Sequence, residues 1–238
     1  MEAVRLSRSA DSSLGHPRWL LFGFWLCVLI AIAVVVRRLV ALAHPVQRGP
    51  ADLAALDASF ASHASLTLAH IIPAAMFVLL SAYILFRRDN RHWPARLFFV
   101  FGAITGVTAY AMTSYAIGGW IECSAVLVFN TWFLFSLARA YLLRSDPAGQ
   151  RRWITRAVGV LLGIATTRPV MGIFFATSRL SHLTPEQFFG IAFWIGFSIN
   201  TVVVELWLRS RRRAALYQTI PLTAAPSAQS APIEKAHR

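Results

Sequence analysis

Apolar residues along this chain gather into long runs, without the two-residue alternation that marks a half-buried strand. The first extends from Trp19 to Val36 with no polar residue, directly after a polar and basic Met1 to Arg18. Five more follow, at about His63 to Phe86, Arg96 to Ala116, Gly119 to Leu143, Thr155 to Leu180 and Glu186 to Leu208. About 20 apolar residues rising 1.5 Å each cross a hydrocarbon core of roughly 30 Å. The pattern therefore predicts an all-α fold, a bundle of six transmembrane helices over about 19–43, 63–86, 96–116, 119–143, 155–180 and 186–208. Residues 1–18 precede it as a short segment, and 209–238 follow as a basic and then disordered tail. Ala41-Leu42-Ala43 looks like a signal-peptide cleavage site, but the run before it is too long and Arg37-Arg38 intervenes. An uncleaved first helix is expected. The loop from His44 to Ser62 is expected to carry a short helix after Pro50, with Leu53, Leu56 and Phe60 against the membrane.

Composition agrees: 57% hydrophobic and 14% charged is too apolar for a soluble domain of 238 residues. The net charge of +13 sits in short clusters between the runs, which argues for orientation signals and against a nucleic-acid partner. The N-terminus, the 87–96 turn, the 139–156 turn and the tail hold 3, 4, 5 and 6 Lys or Arg; the three opposite segments hold 1, 0 and 1. That asymmetry places both termini in the cytoplasm of a bacterial inner-membrane protein. Arg209, Arg211, Arg212 and Arg213 are expected to lie on anionic lipid headgroups. Arg37 and Arg38 are the exception, at the outer end of the first helix. The two cysteines, Cys27 and Cys123, belong to different depths, so no disulfide is expected.

Steps of 100° put His63, Thr67, His70, Ala74, Phe77 and Ser81 of the second helix on one stripe, expected to look into the bundle. Gly102, Gly106, Ala109 and Thr113 form a small-residue face on the third helix that suits close packing. On the fifth, Gly159, Gly163 and Thr167 share one face while Arg168 lies roughly opposite Gly159. Both faces want protein neighbours, so this helix is expected at the centre. Pro169 removes a backbone donor next to Arg168 and is expected to kink the helix there.

Arg168 is the residue around which any chemistry must sit. A guanidinium at that depth costs about 2.5–3.5 kcal/mol on insertion scales, so it should face protein and find a partner. Rise per residue places His70 and Tyr110 roughly 10 Å from the outer face, Arg168 roughly 15 Å and Glu122 roughly 5 Å. Glu122 is the expected counter-ion, and Arg168, His70, Tyr110 and Thr166 or Thr167 are expected to line a polar pocket. Asn130 and Asn200 are read as hydrogen-bonding between helices. Haem needs axial ligands, and His70 is the one histidine well inside a span; His63 lies about 10 Å further along the axis and His92 on the opposite side. No metal-ligand spacing and no catalytic motif occurs. Three readings remain: a protein that binds or transports a small anionic or quinone-like ligand at Arg168, a redox protein holding haem or quinone at His70, and a structural subunit tied by Arg168 and Glu122.

Two turns carry a resemblance. Arg91-His92-Trp93-Pro94-Ala95-Arg96 is similar to a His-Arg-Trp-x-Gly-Arg turn, and Gln150-Arg151-Arg152-Trp153-Ile154-Thr155-Arg156 to His-Arg-Arg-Trp-Met-x-Arg. Both belong to an uncharacterised bacterial family of multi-pass membrane proteins, a domain of unknown function of the 2306 type. The likeness extends over about His63 to Arg209, with that family's intramembrane arginine falling on Arg168 and its first-helix histidine on His70. Arg91 and Gln150 stand where the family has histidine, and Ala95 where it has glycine. The resemblance implies a multi-pass topology and no particular activity.

Overall fold

The computed structural model describes residues 17–44, 51–86, 93–181 and 184–218. The N-terminal segment before Pro17, Arg91 and His92 of the first basic turn, and the tail after Gln218 lie outside the described residues.

Every described element is helical: α1 (Arg18–Ala43), α2 (Ala51–Ser62), α3 (Ala64–Phe86), α4 (Trp93–Met112), α5 (Gly119–Leu142), α6 (Pro147–Leu161), α7 (Gly163–Ser181) and α8 (Pro185–Gln218), with a 3-10 turn at Thr113–Tyr115. Six stretches are long and apolar enough to span a membrane, and α6 with α7 supplies the fifth. That span begins at Pro147, eight residues before the expected Thr155. Pro147 at the first helical position starts the helix early, because its missing N–H costs nothing there. The chain after Arg213 also departs from expectation, since α8 continues to Gln218.

The spans pack as a ring: α1 on α3, α3 on α4, α4 on α5, α5 on α8, α8 on α7, and α7 back on α1. Glycine sets the close approaches. A Cβ on Gly102 would come within 2.8 Å of Phe77 and Leu137, and one on Gly106 within 2.4 Å of Leu134. The small-residue face of α4 is thus the seam between α3 and α5. On the other side, Gly159 receives Val204, Gly163 receives Phe197, and Gly196 of α8 meets the backbone of Thr167 at 2.6 Å from its would-be Cβ. Asn130 donates to the Gly106 carbonyl (2.8 Å) and Asn200 to the Gly159 carbonyl (3.3 Å), the inter-helix bonds expected of them. Gly119, at φ 55°, makes the turn into α5.

The fifth span is central in one half only. α6 lies inside the ring, touching α3, α5 and α8, and Ala157, Val158, Gly159 and Val160 are buried in succession around its whole circumference. Arg151 and Arg152 stand at its polar start. Arg151 donates to the carbonyl of Leu85 at the end of α3 (2.9 Å), and the Trp153 ring packs under the guanidinium groups of Arg139 and Arg156. Arg156 in turn pairs with Glu205 of α8 at 2.9 Å, joined by Arg209 at 3.2 Å. The Arg-Arg-Trp turn therefore fastens three helices at the basic end.

The interruption falls at Leu162, not at Pro169, around which α7 continues as helix. Beyond it α7 leaves the axis and takes a place in the ring beside α1 and α8. A ring whose central helix stops halfway leaves its other half hollow.

Candidate functional site

That hollow is a cavity of about 210 Å³, closed below by Val160 and Leu161 where α6 ends. At the end of the bundle that carries α2 it is lined by Arg38, Phe60 and Tyr115, the two rings meeting edge to face at 6.3 Å. The wall is chiefly hydrocarbon, and its charged and strongly polar groups are Arg168 from α7, Arg38 from α1, His70 from α3, and Asn130 and Glu122 from α5, with the hydroxyl residues Thr67, Thr105, Thr113 and Tyr115 beside them.

Arg168 points into the cavity. Its Nε is buried with no hydrogen-bond partner, and the hydrogen bond its guanidinium makes among the described residues is Nη1 to the thioether of Met171, at 3.9 Å. The expected ion pair with Glu122 does not occur among the described residues, whose salt bridges join Arg37 and Arg38 to Asp57 and Arg156 and Arg209 to Glu205. The physical reason is local: α5 begins at Gly119, and the Glu122 carboxylate turns back to accept the Gly118 N–H at 2.7 Å, satisfying a helix-start donor. Gly118 packs closely on α8 there, since a Cβ on it would stand 2.6 Å from the backbone nitrogen of Gly190. Glu122 lines the same cavity as Arg168.

His70 lines the wall and holds Thr108 through Nδ1 at 3.0 Å. Tyr110 does not belong to the site: its hydroxyl bonds Thr131 at 2.7 Å, across the α4–α5 seam and away from the cavity. Tyr110 has the depth of the cavity, but its angle on α4 turns it to α5. Thr167 is also elsewhere, fully buried against Gly196 with its hydroxyl donated to the Ile164 carbonyl. Thr166 donates to Asn200 (2.7 Å) and sits 3.9 Å from Cys27, on the α1–α8 side of α7. One step of about 100° separates Arg168 from Thr167, enough to put them on different faces. His63, at the end of the predicted stripe, is exposed and stacks on the Tyr115 ring at 4.2 Å.

Arg38 is the residue that sequence reasoning missed. It is 9% exposed, pairs with Asp57 of α2 at 2.6 Å, and lies 3.9 Å from the Phe60 ring. Arg37 reaches the same carboxylate at 3.1 Å. Phe60 therefore faces a guanidinium and Tyr115, not the membrane as expected, while Leu53 and Leu56 carry no described side-chain placement. The signal was present as two arginines on the wrong side of the charge pattern and one aspartate in the loop that follows.

A second, smaller cavity of about 160 Å³ occupies the opposite end, lined by Phe24, Cys27, Leu85, Asn200 and Trp207 among others. Cys27 and Cys123 are free thiols, and among the described residues no three His, Cys, Asp or Glu side chains gather as a metal site requires. No family model, curated protein or solved structure matches this chain, so its function is read from this geometry alone.

Proposed function

We propose that this is a bacterial inner-membrane protein, with both termini in the cytoplasm, that binds or transports a small anionic or quinone-like ligand in the cavity beside Arg168. The observation that carries the reading is a guanidinium in the wall of a formed cavity whose Nε has no hydrogen-bond partner and whose Nη1 meets only a thioether among the described residues. Leaving a buried charge without an acceptor costs on the order of 3–5 kcal/mol when a partner has been removed, so an occupant that supplies one gains most of that amount. The apolar wall suits a ligand with an oxygen-bearing head and a hydrocarbon body. In favour of transport stands the second cavity, which meets α1 at Cys27, one turn from Ala31 in the first.

The charge-sorted turns support the orientation, and the run from Arg209 to Arg213 supports contact with anionic headgroups. The Arg-Arg-Trp turn and the placement of Arg168 support kinship with the uncharacterised multi-pass family named above. His70 in the cavity wall keeps a redox reading, with a quinone at the same place, as the second choice.

The test is thermal unfolding of the purified protein with a panel of organic carboxylates and a short-chain quinone. Stabilisation by a member of the panel, lost in Arg168→Met, is expected. A panel without effect on the wild type, or with equal effect on Arg168→Met, contradicts the proposal.

A further inference from the structure

Resting on that reading, we infer that the ligand is a single-chain anionic amphiphile, a medium-chain carboxylate, with its head between Arg168 and Arg38 and its chain running toward Val78 and Phe133. Charge decides between the two head groups. A quinone oxygen accepts from the free donors of Arg168 but leaves the guanidinium charge uncompensated. A carboxylate answers both, and two oxygens match the planar fork of an arginine. Glu122, the carboxylate already present, is committed to the Gly118 N–H and makes no ion pair with Arg168. Arg38 brings a second guanidinium to the same cavity, and its partner Asp57 comes from α2, outside the ring.

Shape decides the tail. Away from the arginines most of the wall is apolar, with Ile32, Ile71, Val78 and Phe133, interrupted by His70, Thr105 and Asn130. From Thr67 to Val78 the lining follows α3 for about 16 Å at 1.5 Å per residue. The volume of about 210 Å³ exceeds the roughly 150 Å³ that encloses benzene, and it is far from holding the two chains of a phospholipid. One alkyl chain lying along α3 fits both dimensions.

The test is photolabelling of the full-length purified protein with decanoate carrying a diazirine on its chain, chased by decanoate, methyl decanoate or a short-chain quinone. Label is expected on the cavity stretches of α3 and of α6–α7, chased at least tenfold better by decanoate than by its methyl ester, and lost in Arg168→Gln. Ala74→Phe keeps the arginine and fills the cavity; it is expected to remove the label too, which holds the test open should Arg168→Gln misfold. Chase by the quinone alone overturns the carboxylate and leaves the cavity reading standing. Label confined to outward residues such as Val107 and Trp120, equal in all variants, overturns the inference. If, in addition, no panel compound gives an Arg168-dependent thermal shift, the cavity reading falls with it.

Discussion

Arg168 has left water and received a thioether in exchange. If Arg168 and Glu122 tied the bundle together, removing either would destabilise it and the double variant would show strong coupling. The geometry requires otherwise. Arg168→Met removes an uncompensated charge and is expected to raise the stability of the ligand-free protein by about 1 kcal/mol or more. Glu122→Gln keeps an acceptor for Gly118 and is expected to cost no more than about 1 kcal/mol, with coupling to Arg168→Met under about 0.5 kcal/mol. Denaturation of the two singles and the double checks this; a coupling of about 2 kcal/mol would establish the tie. Arg38 behaves in the opposite way, because its acceptor is real. Asp57→Asn is expected to lower stability by about 2 kcal/mol, since one partner of a largely buried pair is left behind, and Asp57→Glu to recover part of it. Equal melting temperatures for wild type and Asp57→Asn would show that α2 is not held by that pair. At this scale the sequence disclosed that Arg168 was costly but not how it is treated. Its partner depended on where Glu122 found a closer donor; Tyr110 has the depth of the cavity but another angle on its helix, and Thr167 keeps to the Gly159–Gly163 face, away from Arg168, as its spacing indicates.

Helices touch here through glycine, and two substitutions separate contact from propensity. Gly196→Ala puts a Cβ against the Thr167 backbone at 2.6 Å, where no side chain can yield, and is expected to destabilise the α7–α8 pair by about 1–3 kcal/mol. Gly172→Ala meets nothing within 4 Å and is expected to be neutral or to gain up to about 1 kcal/mol from helix propensity. Thermal unfolding of both variants in one detergent decides; similar effects would contradict the packing described. Seams of this kind were legible in the sequence as Gly102 with Gly106 and Gly159 with Gly163, because small residues at helical spacing have few other uses in lipid. The break at Leu162 was not. Pro169 signalled a kink by its chemistry, yet the chain yields about two turns earlier, at Leu162, where α6 ends inside the ring.

The ring with a half-length central helix is the property of the whole molecule that creates the cavity. Six spans were readable from apolar length alone, but their order in the ring and the retreat of α7 from the axis depend on contacts between distant stretches. The proposed orientation rests on charge: a reporter fused after Arg238 is expected to read as cytoplasmic, fluorescing as a green fluorescent fusion and inactive as an alkaline phosphatase fusion, and the reverse pattern would contradict that orientation.

The most direct measurement asks whether the cavity is open and positive. With Cys27→Ser and Cys123→Ser as background, Ala74→Cys places one thiol in its wall. The expected result is modification by an anionic methanethiosulfonate about tenfold faster than by a cationic one, with the preference abolished by Arg168→Met. No modification by either reagent, or a preference indifferent to Arg168, would show that the guanidinium does not face an accessible cavity.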